Sequence, residues 1–452
     1  MDKTAITDEQ FNKVIEDLKK LVKIKSLSNI KNEDYNFDSL IQCADFIKDE
    51  FDKLDFETKL ITIDDIQPFV FSKKIIDENK PTILLYAHYD VQPVEKDRWD
   101  SDPFELVEKN NRLYARGASD DKAGIVAIFS AIRYFKEANK KLPVNLKVLI
   151  EGEEEYGSNH IEDILKKYKS DLQADALIVL DGANVATDIG TLGFSNRGNV
   201  NLKLTINALE NPVHSGLGCL CPDAAQAMAN IISSLNDTSK IEGINEGIKK
   251  LSDEEKKLLK ENSISFKDYA NEMKVIDGKE SLRIDKNKSV FENFCETPII
   301  NILNLNAGKK EGGNSLQEEA TAAINIRILP GQDPKKILKI ITNHIEKQKV
   351  LYNLKLKIEV ESLNDPFSAN INGKYTKKYI EAMQKHFKKT SIMPSGGTLP
   401  LLKQFQDTFE NLDILVPGVE DPDTLAHGHN ESQDKELLRN TINTLIDFMK
   451  II

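Results

Sequence analysis

The sequence predicts an α/β protein in which a mostly parallel sheet is flanked by helices and interrupted by an inserted α+β domain. Three short apolar runs, at residues 83–87, 146–150 and 176–180, are separated by helical patterns, which is typical of strands buried on both faces of a sheet. From about residue 199 the pattern changes to strict alternation of apolar and polar residues, which indicates strands with one solvated face. Two sheets of different character predict two domains.

The length and the composition agree with this division. The chain has 452 residues, about three times the ~150 residues of a common domain. Hydrophobic residues make up 40% of the chain and charged residues 30%, a balance that supports a large buried core. The net charge of −12 argues against nucleic acids and anionic membrane surfaces as partners, because both reward dense Lys and Arg. We therefore expect a small molecule as the partner.

Signals for export or membrane insertion are not expected from this sequence. The first 12 residues lack the basic start and the apolar stretch of a signal peptide. The longest apolar runs are far shorter than the ~20 residues that a membrane span requires. The four cysteines do not have the paired spacing of a structural zinc site and are interpreted as free thiols. The expected compartment is therefore a reducing cytoplasm.

The helices of the first domain follow from apolar residues at helical spacing. Five such stretches are 11–22, 40–54, 123–135, 374–387 and 435–449. The last two come after Asp365-Pro366 and predict that the chain returns to the first sheet. We therefore assign residues 1–197 and 364–452 to the first domain and residues 198–363 to the inserted one.

The inserted domain shows the element order of a ferredoxin-like split βαβ fold. The predicted order is strand 200–207, helix 222–235, strand 298–303, strand 320–329, helix 334–347 and strand 354–362. Pro222 and Pro334 both stand where the first turn of a helix accepts proline. The Lys- and Glu-rich stretch 239–293 is interpreted as a partly helical insertion on the surface.

Acids and a histidine follow the three buried strands of the first domain. His88 and Asp90 come after the first strand, Glu151 and its neighbouring glutamates after the second, and Asp181 after the third. A further pair, Asp120-Asp121, stands in a glycine-containing turn before a helix. In open α/β sheets, ligands bind just beyond the carboxyl ends of the strands. These side chains are therefore candidates for one common site.

Each of these residues also has a plain structural interpretation. A single His at a strand end is usually a hydrogen-bonded core residue, and a run of glutamates is usually a solvated loop. Together, however, the carboxylates would crowd one sheet edge and repel each other unless a cation neutralised them. Imidazole and carboxylate ligands suit zinc, with Mn²⁺ or Co²⁺ as alternatives, and the absence of nearby thiolates favours a catalytic site over a structural one.

The motifs resemble those of the di-zinc peptidase and deacylase family of carnosinases, bacterial dipeptidases, glutamate carboxypeptidase, acetylornithine deacetylase and succinyl-diaminopimelate desuccinylase. They are HYDVQP at 88–93, RGASDDK at 116–122, EGEEEYGS at 151–158, LD at 180–181 and AHGHNE at 426–431. The resemblance extends over nearly the whole chain. It implies a zinc-peptidase catalytic domain with an inserted lid or dimerisation domain, and a homodimer.

The resemblance also implies a role for each matching position of the first domain. His88 and Asp181 would hold one zinc ion, Glu155 and His427 a second, and Asp120 would bridge both around a shared hydroxide. His429 is the weaker alternative to His427 as a ligand.

Two further acids receive roles beside the metals. Glu154 would act as the general base, and Asp90 would orient the His88 imidazole. The peptide bond between the residues that match Asp120 and Asp121 is often cis in this family.

In the inserted domain the resemblance implies substrate contacts. His214, in NPVHSG at 211–216, would donate to the oxyanion and, in dimers of the carnosinase type, would enter the partner's site. Arg327 would bind the terminal carboxylate of the substrate, and Asn314 and Arg197 match family positions loosely. An ordinary loop His and an exposed strand Arg are the structural alternatives.

One departure from the family concerns the segment PSGGT at 394–398, where carnosinase-like members have an arginine and an acid before the Gly-Gly turn. Gly396 and Gly397 are still able to present backbone N–H groups to a carboxylate. The missing arginine nevertheless argues against the carnosinase substrate itself.

The predicted function is hydrolysis of the amide bond of dipeptides or short peptides with a free C-terminal carboxylate, by means of a metal-bridging hydroxide. Two alternatives remain. The first is an N-acyl amino acid deacylase of the desuccinylase or deacetylase type. The second is a binding homologue without catalysis, which the presence of Glu154 and a full ligand set argues against.

Overall fold

The computed structural model describes residues 4–29, 34–63, 66–308 and 313–452. The chain divides into two compact units. The first comprises residues 1–194, 369–393 and 401–452, and the second comprises residues 195–368 and 394–400. The predicted division was 1–197 and 364–452 against 198–363, and the segment 394–400 with the Gly-Gly turn, predicted in the first domain, belongs to the second unit.

The first unit is built on a six-stranded mixed sheet. In spatial order its strands are Glu57–Ile61, Phe69–Lys74, Asn145–Glu151, Thr82–His88, Ala176–Val179 and Asp413–Leu415. The last four strands run parallel, and the first two are antiparallel to their neighbours. The three predicted strands are therefore adjacent at the centre of the sheet, and the predicted mostly parallel α/β fold is confirmed.

The helices of the first unit pack on this sheet through apolar faces. They are Asp8–Lys23, Phe37–Lys53, Lys122–Glu137, Ile161–Lys167, Lys169–Leu172, Lys374–Met383, Pro400–Thr408, whose first residue belongs to the second unit, and Lys435–Ile451. Buried residues of the long helices, such as Leu18, Ile47 and Ile128, join one core with Ile83 and Leu85 of the central sheet. This burial on both sides explains why the central strands are continuously apolar.

Smaller strand pairs complete the first unit. Val107–Lys109, Arg112–Tyr114 and Ser432–Asp434 form a three-stranded antiparallel sheet, and Gly182–Ala183 pairs in parallel with Gly418–Glu420. The strands Ile189–Asn196 and Lys389–Ser395 contain two of the four points where the chain passes between the units.

The second unit has the predicted ferredoxin-like topology. Its four antiparallel strands lie in the order Ile299–Asn306, Glu319–Ile328, Gly198–Asn207 and Leu356–Asn364. The helices Ala224–Ser234 and Pro334–Glu346 cover one face, where Val200, Leu202 and Ile324 are buried. The strict alternation in the sequence therefore reports one buried and one more open face.

The insertion between the first helix and the next strand of this unit is partly helical, as predicted. Its helices are Asp253–Asn262, Phe266–Glu272 and Val290–Glu296. Leu259, Phe291 and Cys295 are buried, so this stretch has apolar contacts of its own and is not wholly a surface segment.

The remaining strands of the second unit are short. Val213–His214 pairs with Ser315–Leu316, and Phe367–Ser368 pairs with residues 195–196.

The two prolines that predict helix starts behave differently. Pro334 occupies the first turn of its helix, whereas Pro222 stands before the helix that begins at Ala224. The Asp223 carboxylate accepts hydrogen bonds from the backbone N–H groups of Ala225 and Gln226. Asp223 is therefore the N-cap, and the helix begins at the next residue, two positions after Pro222. Within the described ranges, no helix is both long enough and apolar enough to cross a membrane.

Candidate metal centre

The ends of three neighbouring strands bring the predicted ligands of the first unit together. His88 pairs in register with Glu151, and the backbone N–H of Leu180 donates to the Tyr86 carbonyl at 3.0 Å. Asp181 therefore emerges beside His88, with 3.8 Å between its Oδ1 and His88 Nε2. The side chains meet because parallel strands end at the same edge of the sheet.

Asp120 lies between the two predicted metal-ligating histidines. Its Oδ1 is 3.0 Å from His88 Nε2, and its Oδ2 is 3.1 Å from His427 Nε2. The Asp120-Asp121 peptide bond is cis, as the family resemblance implies. One carboxylate thus faces both histidines, which is the arrangement that a bridging ligand needs.

Asp121 has a different position from its neighbour. Its Oδ1 accepts from the backbone N–H of Gly124 at 3.1 Å and caps the helix Lys122–Glu137. Its Oδ2 accepts from the backbone N–H of His88 at 3.2 Å. Asp121 therefore ties the helix start to the end of the His88 strand.

His427 and Glu155 form the other half of the cluster. The distance between His427 Nε2 and Glu155 Oε2 is 3.1 Å, and the Gln92 amide donates to the same Glu155 oxygen at 2.6 Å. The His427 side chain is 59% exposed, and its backbone has a left-handed φ of 60°, an uncommon conformation for a residue with a side chain. His429 belongs to none of the metal-ligating groups found within the described residues.

The structure separates the four glutamates that follow the second strand. Glu151 is buried and accepts from the Tyr86 hydroxyl at 2.5 Å, and Glu153 lies 2.9 Å from His160 Nδ1. Only Glu154 and Glu155 face the cluster, Glu154 with its Oε2 3.9 Å from His88 Nε2. The run is therefore not a solvated loop, since two members are fully buried.

Asp90 connects His88 with the Glu154-Glu155 turn. Its carboxylate oxygens accept from the backbone N–H groups of Glu154 at 3.2 Å and Glu155 at 3.1 Å. His88 Nδ1 is 3.0 Å from the Asp90 backbone carbonyl and 3.4 Å from the Asp90 carboxylate. The imidazole thus has its nearest contact with the main chain of Asp90, while the carboxylate also orients the turn.

The charges of this cluster are poorly balanced without a cation. Hydrogen bonds to Asp120 and Glu155 raise the pKa of His427 to about 11. Burial and the nearby Asp120 charge raise the pKa of Glu155 to about 7. Burial and repulsion from Asp181 raise the pKa of Glu154 well above its ordinary value. A divalent cation would relieve this repulsion, so the donor set fits a metal centre.

Within the described residues, the geometry defines three groups that are able to ligate metal. Asp120, Glu155 and His427 have ligand atoms within 4.8 Å of one another, and the same holds for His88, Asp121 and Asp181, and for Asp120, Asp181 and Glu420. The His88–Asp120 contact joins the first two groups. All five predicted metal ligands therefore lie in one cluster of the first unit, although their assigned roles stay predictions.

Sequence reasoning left Glu431 without a role, yet its buried carboxylate organises the Asp120 turn. Its Oε1 accepts from the backbone N–H groups of Ser119 at 2.9 Å and Asp120 at 3.1 Å. Its Oε2 accepts from the backbone N–H of Gly117 at 2.9 Å and from Arg116 Nη1 at 2.6 Å. Glu431 follows His427 by four residues, so it joins the loop of His427 to the loop of Asp120. The position of Glu431 at the end of the AHGHNE motif was the sequence feature that could have pointed to this role.

We expect Glu431→Gln to weaken metal binding by about 10- to 100-fold, the usual effect of losing a group that orients ligands. The amide nitrogen of Gln would face donors of Gly117 and Arg116, so the Asp120 turn would shift. Retention of metal during dialysis against a chelator measures this. Glu410→Gln, at an exposed position, is the matched control. Equal retention of metal by both variants would contradict the positioning role of Glu431.

The predicted carboxylate-binding residues cluster in the second unit. Arg327 Nη1 donates to the Thr398 hydroxyl at 2.8 Å, and that hydroxyl donates to the Arg197 carbonyl at 2.6 Å. The backbone N–H of Arg197 donates to the Gly397 carbonyl at 3.0 Å. Arg327 is partly buried, so it is not the exposed strand arginine of the structural alternative. Gly396 lies in the same turn.

His214 and Asn314 are also neighbours in the second unit. His214 pairs with Ser315 in a short antiparallel ladder, and the backbone N–H of Ser215 donates to the Asn314 carbonyl at 2.7 Å. The His214 imidazole is exposed, and its Nδ1 accepts from the backbone N–H of Gly216 at 3.1 Å.

Comparison with known proteins places this architecture in an established family. Residues 84–451 match Peptidase family M20/M25/M40. The cysteinylglycine-S-conjugate dipeptidase of Corynebacterium striatum is 29% identical over 385 residues, covering 83% of this chain and 82% of that protein. The Beta-Ala-His dipeptidase of Rattus norvegicus is 26% identical over 379 residues, covering 80% and 75% respectively.

A solved structure has the same fold. The M20 family metallo-carboxypeptidase Sso-CP2 from Sulfolobus solfataricus superposes with a TM-score of 0.83 and 26% identity over 98% of this chain and 99% of that one. The match to the family spans most of the chain and contains every predicted metal ligand. The chain therefore belongs to Peptidase family M20/M25/M40.

Proposed function

We propose that this chain is a metal-dependent dipeptidase that cleaves the amide bond of dipeptides or short peptides with a free C-terminal carboxylate. The observation that carries the proposal is the cluster in which Asp120 faces His88 at 3.0 Å and His427 at 3.1 Å, with Glu154 beside it. The two dipeptidase relatives support the dipeptide substrate.

Two divalent metal ions, most simply Zn²⁺ with Mn²⁺ or Co²⁺ as alternatives, are proposed for this cluster. His88 and Asp181 would hold one ion, Glu155 and His427 the other, and Asp120 both. When bound, such a pair supplies Lewis-acid polarisation of the scissile carbonyl and lowers the pKa of water.

Glu154 is proposed as the general base and acid. Its carboxylate would take the proton of the attacking water and deliver it to the leaving amine. Its position supports this role, because Asp90 orients its backbone from one side and Oε2 lies 3.9 Å from His88 Nε2.

Arg327 is proposed to bind the substrate carboxylate through its guanidinium fork. Its Nη1 contact with Thr398 leaves further guanidinium N–H groups for a ligand. Gly396, Gly397 and Asn314 are proposed to contribute to the same recognition. His214 is proposed to donate to the oxyanion, in a homodimer from the partner subunit.

We expect Arg327→Ala to lower kcat/KM for dipeptides by about 10- to 100-fold, because a hydrogen bond to a charged group contributes about 1.5–3 kcal/mol. Arg327→Lys should restore little of this, since Lys lacks the fork. Dipeptide amides without the terminal carboxylate serve as the control substrates. An equal loss on amides and on free acids would contradict the assignment.

The test of the proposed function is turnover of dipeptides and N-acyl amino acids by metal-stripped protein, before and after addition of Zn²⁺ or Mn²⁺. Metal-dependent release from dipeptides is the expected result. Activity on N-acyl amino acids alone would favour the deacylase alternative, and binding of both metals without turnover of either class would favour a binding homologue.

The four unpaired cysteines support the predicted cytoplasmic location.

A further inference from the structure

Glu420 is a carboxylate at the metal cluster that neither the motifs nor the resemblance identifies. It ends the strand Gly418–Glu420, which pairs in parallel with Gly182–Ala183, directly after Asp181. The backbone N–H of Asn184 donates to the Glu420 carbonyl at 2.8 Å, and the Asn184 amide donates to the same oxygen at 3.0 Å. The main chain of Glu420 is therefore held beside the main chain that carries Asp181.

Two glycines permit this close approach of the strands. A Cβ atom on Gly418 would lie 2.4 Å from the Asn184 side chain, and one on Gly182 would lie 2.7 Å from the Pro417 carbonyl oxygen. Both contacts are too short for any side chain. Glu420 is thus placed at the cluster by backbone packing and not by a flexible loop.

The Glu420 carboxylate joins Asp120 and Asp181. One oxygen from each of the three side chains lies within 4.8 Å of the other two. Two oxygens that bind one cation at about 2.2 Å are at most about 4.4 Å apart, so this spacing is close to that of a common ligand sphere.

Among the described residues, hydrogen bonds hold the main chain of Glu420 but not its carboxylate. Across the described ranges, no hydrogen bond or ion pair engages its side-chain oxygens, whereas its carbonyl accepts two. An acid without a partner among other acids is explained most simply by a cation that all of them face.

We propose that Glu420 is an additional ligand of the metal ion held by His88, Asp120 and Asp181, and that it makes this half of the site selective for Mn²⁺ over Zn²⁺. The inference rests on the proposed metal centre. With Glu420, that ion has three carboxylate ligands and one imidazole, an oxygen-rich set that suits Mn²⁺, whereas Zn²⁺ favours four ligands with more nitrogen.

The charge balance agrees with this assignment. Asp120, Asp181, Glu155 and Glu420 together carry four negative charges when ionised, which equals the positive charge of two divalent cations. The half of the site that contains His427 and Glu155 lacks a comparable extra carboxylate within the groups found in the described ranges. The two halves should therefore differ in metal preference.

The test compares metal binding by the wild-type chain, Glu420→Gln, Glu420→Asp and the control Glu410→Gln, all stripped of metal. Titration with Mn²⁺, with free Mn²⁺ measured by electron paramagnetic resonance, gives the affinity of each site. Competition with Zn²⁺ gives the preference. No substrate is needed, so the result is independent of activity.

We expect Glu420→Gln to weaken Mn²⁺ binding at one of the two sites by about tenfold or more, because loss of a residue that only orients a metal ligand already weakens binding by that much. The preference of this site for Mn²⁺ over Zn²⁺ should fall in the variant. Zn²⁺ should still fill both sites, which would show that the variant is folded. Glu420→Asp, which withdraws the carboxylate but keeps the charge, should behave like Glu420→Gln.

Wild-type Mn²⁺ affinity and preference in Glu420→Gln would overturn the proposal. Wild-type behaviour of Glu420→Asp alone would also overturn it, because charge without coordination would then suffice. Failure of the wild-type chain to bind either metal would overturn the proposed metal centre itself, which is a distinct result.

Discussion

Glu154→Gln is expected to lower kcat by about 10²- to 10⁴-fold on dipeptides while both metal ions stay bound. The Gln amide is isosteric but cannot accept a proton from the attacking water. Metal retention is expected because the shortest contacts among the ligands do not use the Glu154 carboxylate. Asp120 contacts both histidines, and Asp90 contacts Glu154 through the Glu154 backbone N–H.

The measurement combines steady-state kinetics with metal analysis of the same preparation. Glu162→Gln is the matched control, since Glu162 is exposed and pairs with Lys166 within the helix Ile161–Lys167. A Glu154→Gln variant that keeps kcat within about threefold of the wild-type value would remove Glu154 from the proton-transfer role.

Asp120→Asn is expected to have the second large effect, the loss of at least one metal ion together with activity. The two Asp120 oxygens face His88 Nε2 at 3.0 Å and His427 Nε2 at 3.1 Å, so one substitution affects both halves of the site. An Asn side chain keeps one oxygen and replaces the other with an amide nitrogen, which does not ligate a cation. The loss of metal affinity should exceed the change of about 10- to 100-fold that is expected when a residue that only orients a metal ligand is removed.

A buried aspartate elsewhere in the first unit provides the control. Asp447 accepts from the Thr4 backbone N–H at 3.2 Å and lies 2.9 Å from His386 Nε2, and it has no part in the metal-ligating groups of the described residues. Asp447→Asn should lower the melting temperature but keep both metals. Equal metal content in Asp120→Asn and Asp447→Asn would contradict the bridging assignment.

The apolar runs of the sequence were sufficient to locate the central strands and therefore the sheet edge that carries the site. His88, Asp181 and the Glu151–Glu155 run could be predicted as neighbours because parallel strands end at one edge. The alternating pattern of residues 200–206 likewise predicted a sheet with one buried face. These features depend on short-range patterns that each segment carries within itself.

Three details depended on backbone contacts between distant segments. Asp90 orients the Glu154-Glu155 turn through main-chain N–H groups, Glu431 holds the Asp120 turn across more than 300 residues of chain, and Glu420 reaches the cluster through the pairing of Gly418 with Gly182. A sequence pattern does not reveal which main-chain groups a carboxylate will meet. For the same reason, a pattern does not reveal the different contacts of Asp120 and Asp121, which are adjacent acids of one turn.

By itself, the sequence determined the fold class, the identity of the family and five of the residues that meet in the cluster, because strand periodicity and short motifs are local properties. The tertiary structure decided which acids lie in the cluster, which one caps a helix and which ones hold the main chain of neighbouring turns. That division depends on which atoms approach within about 3 Å of each other, and most of these distances arise only when segments that are distant in the sequence pack together.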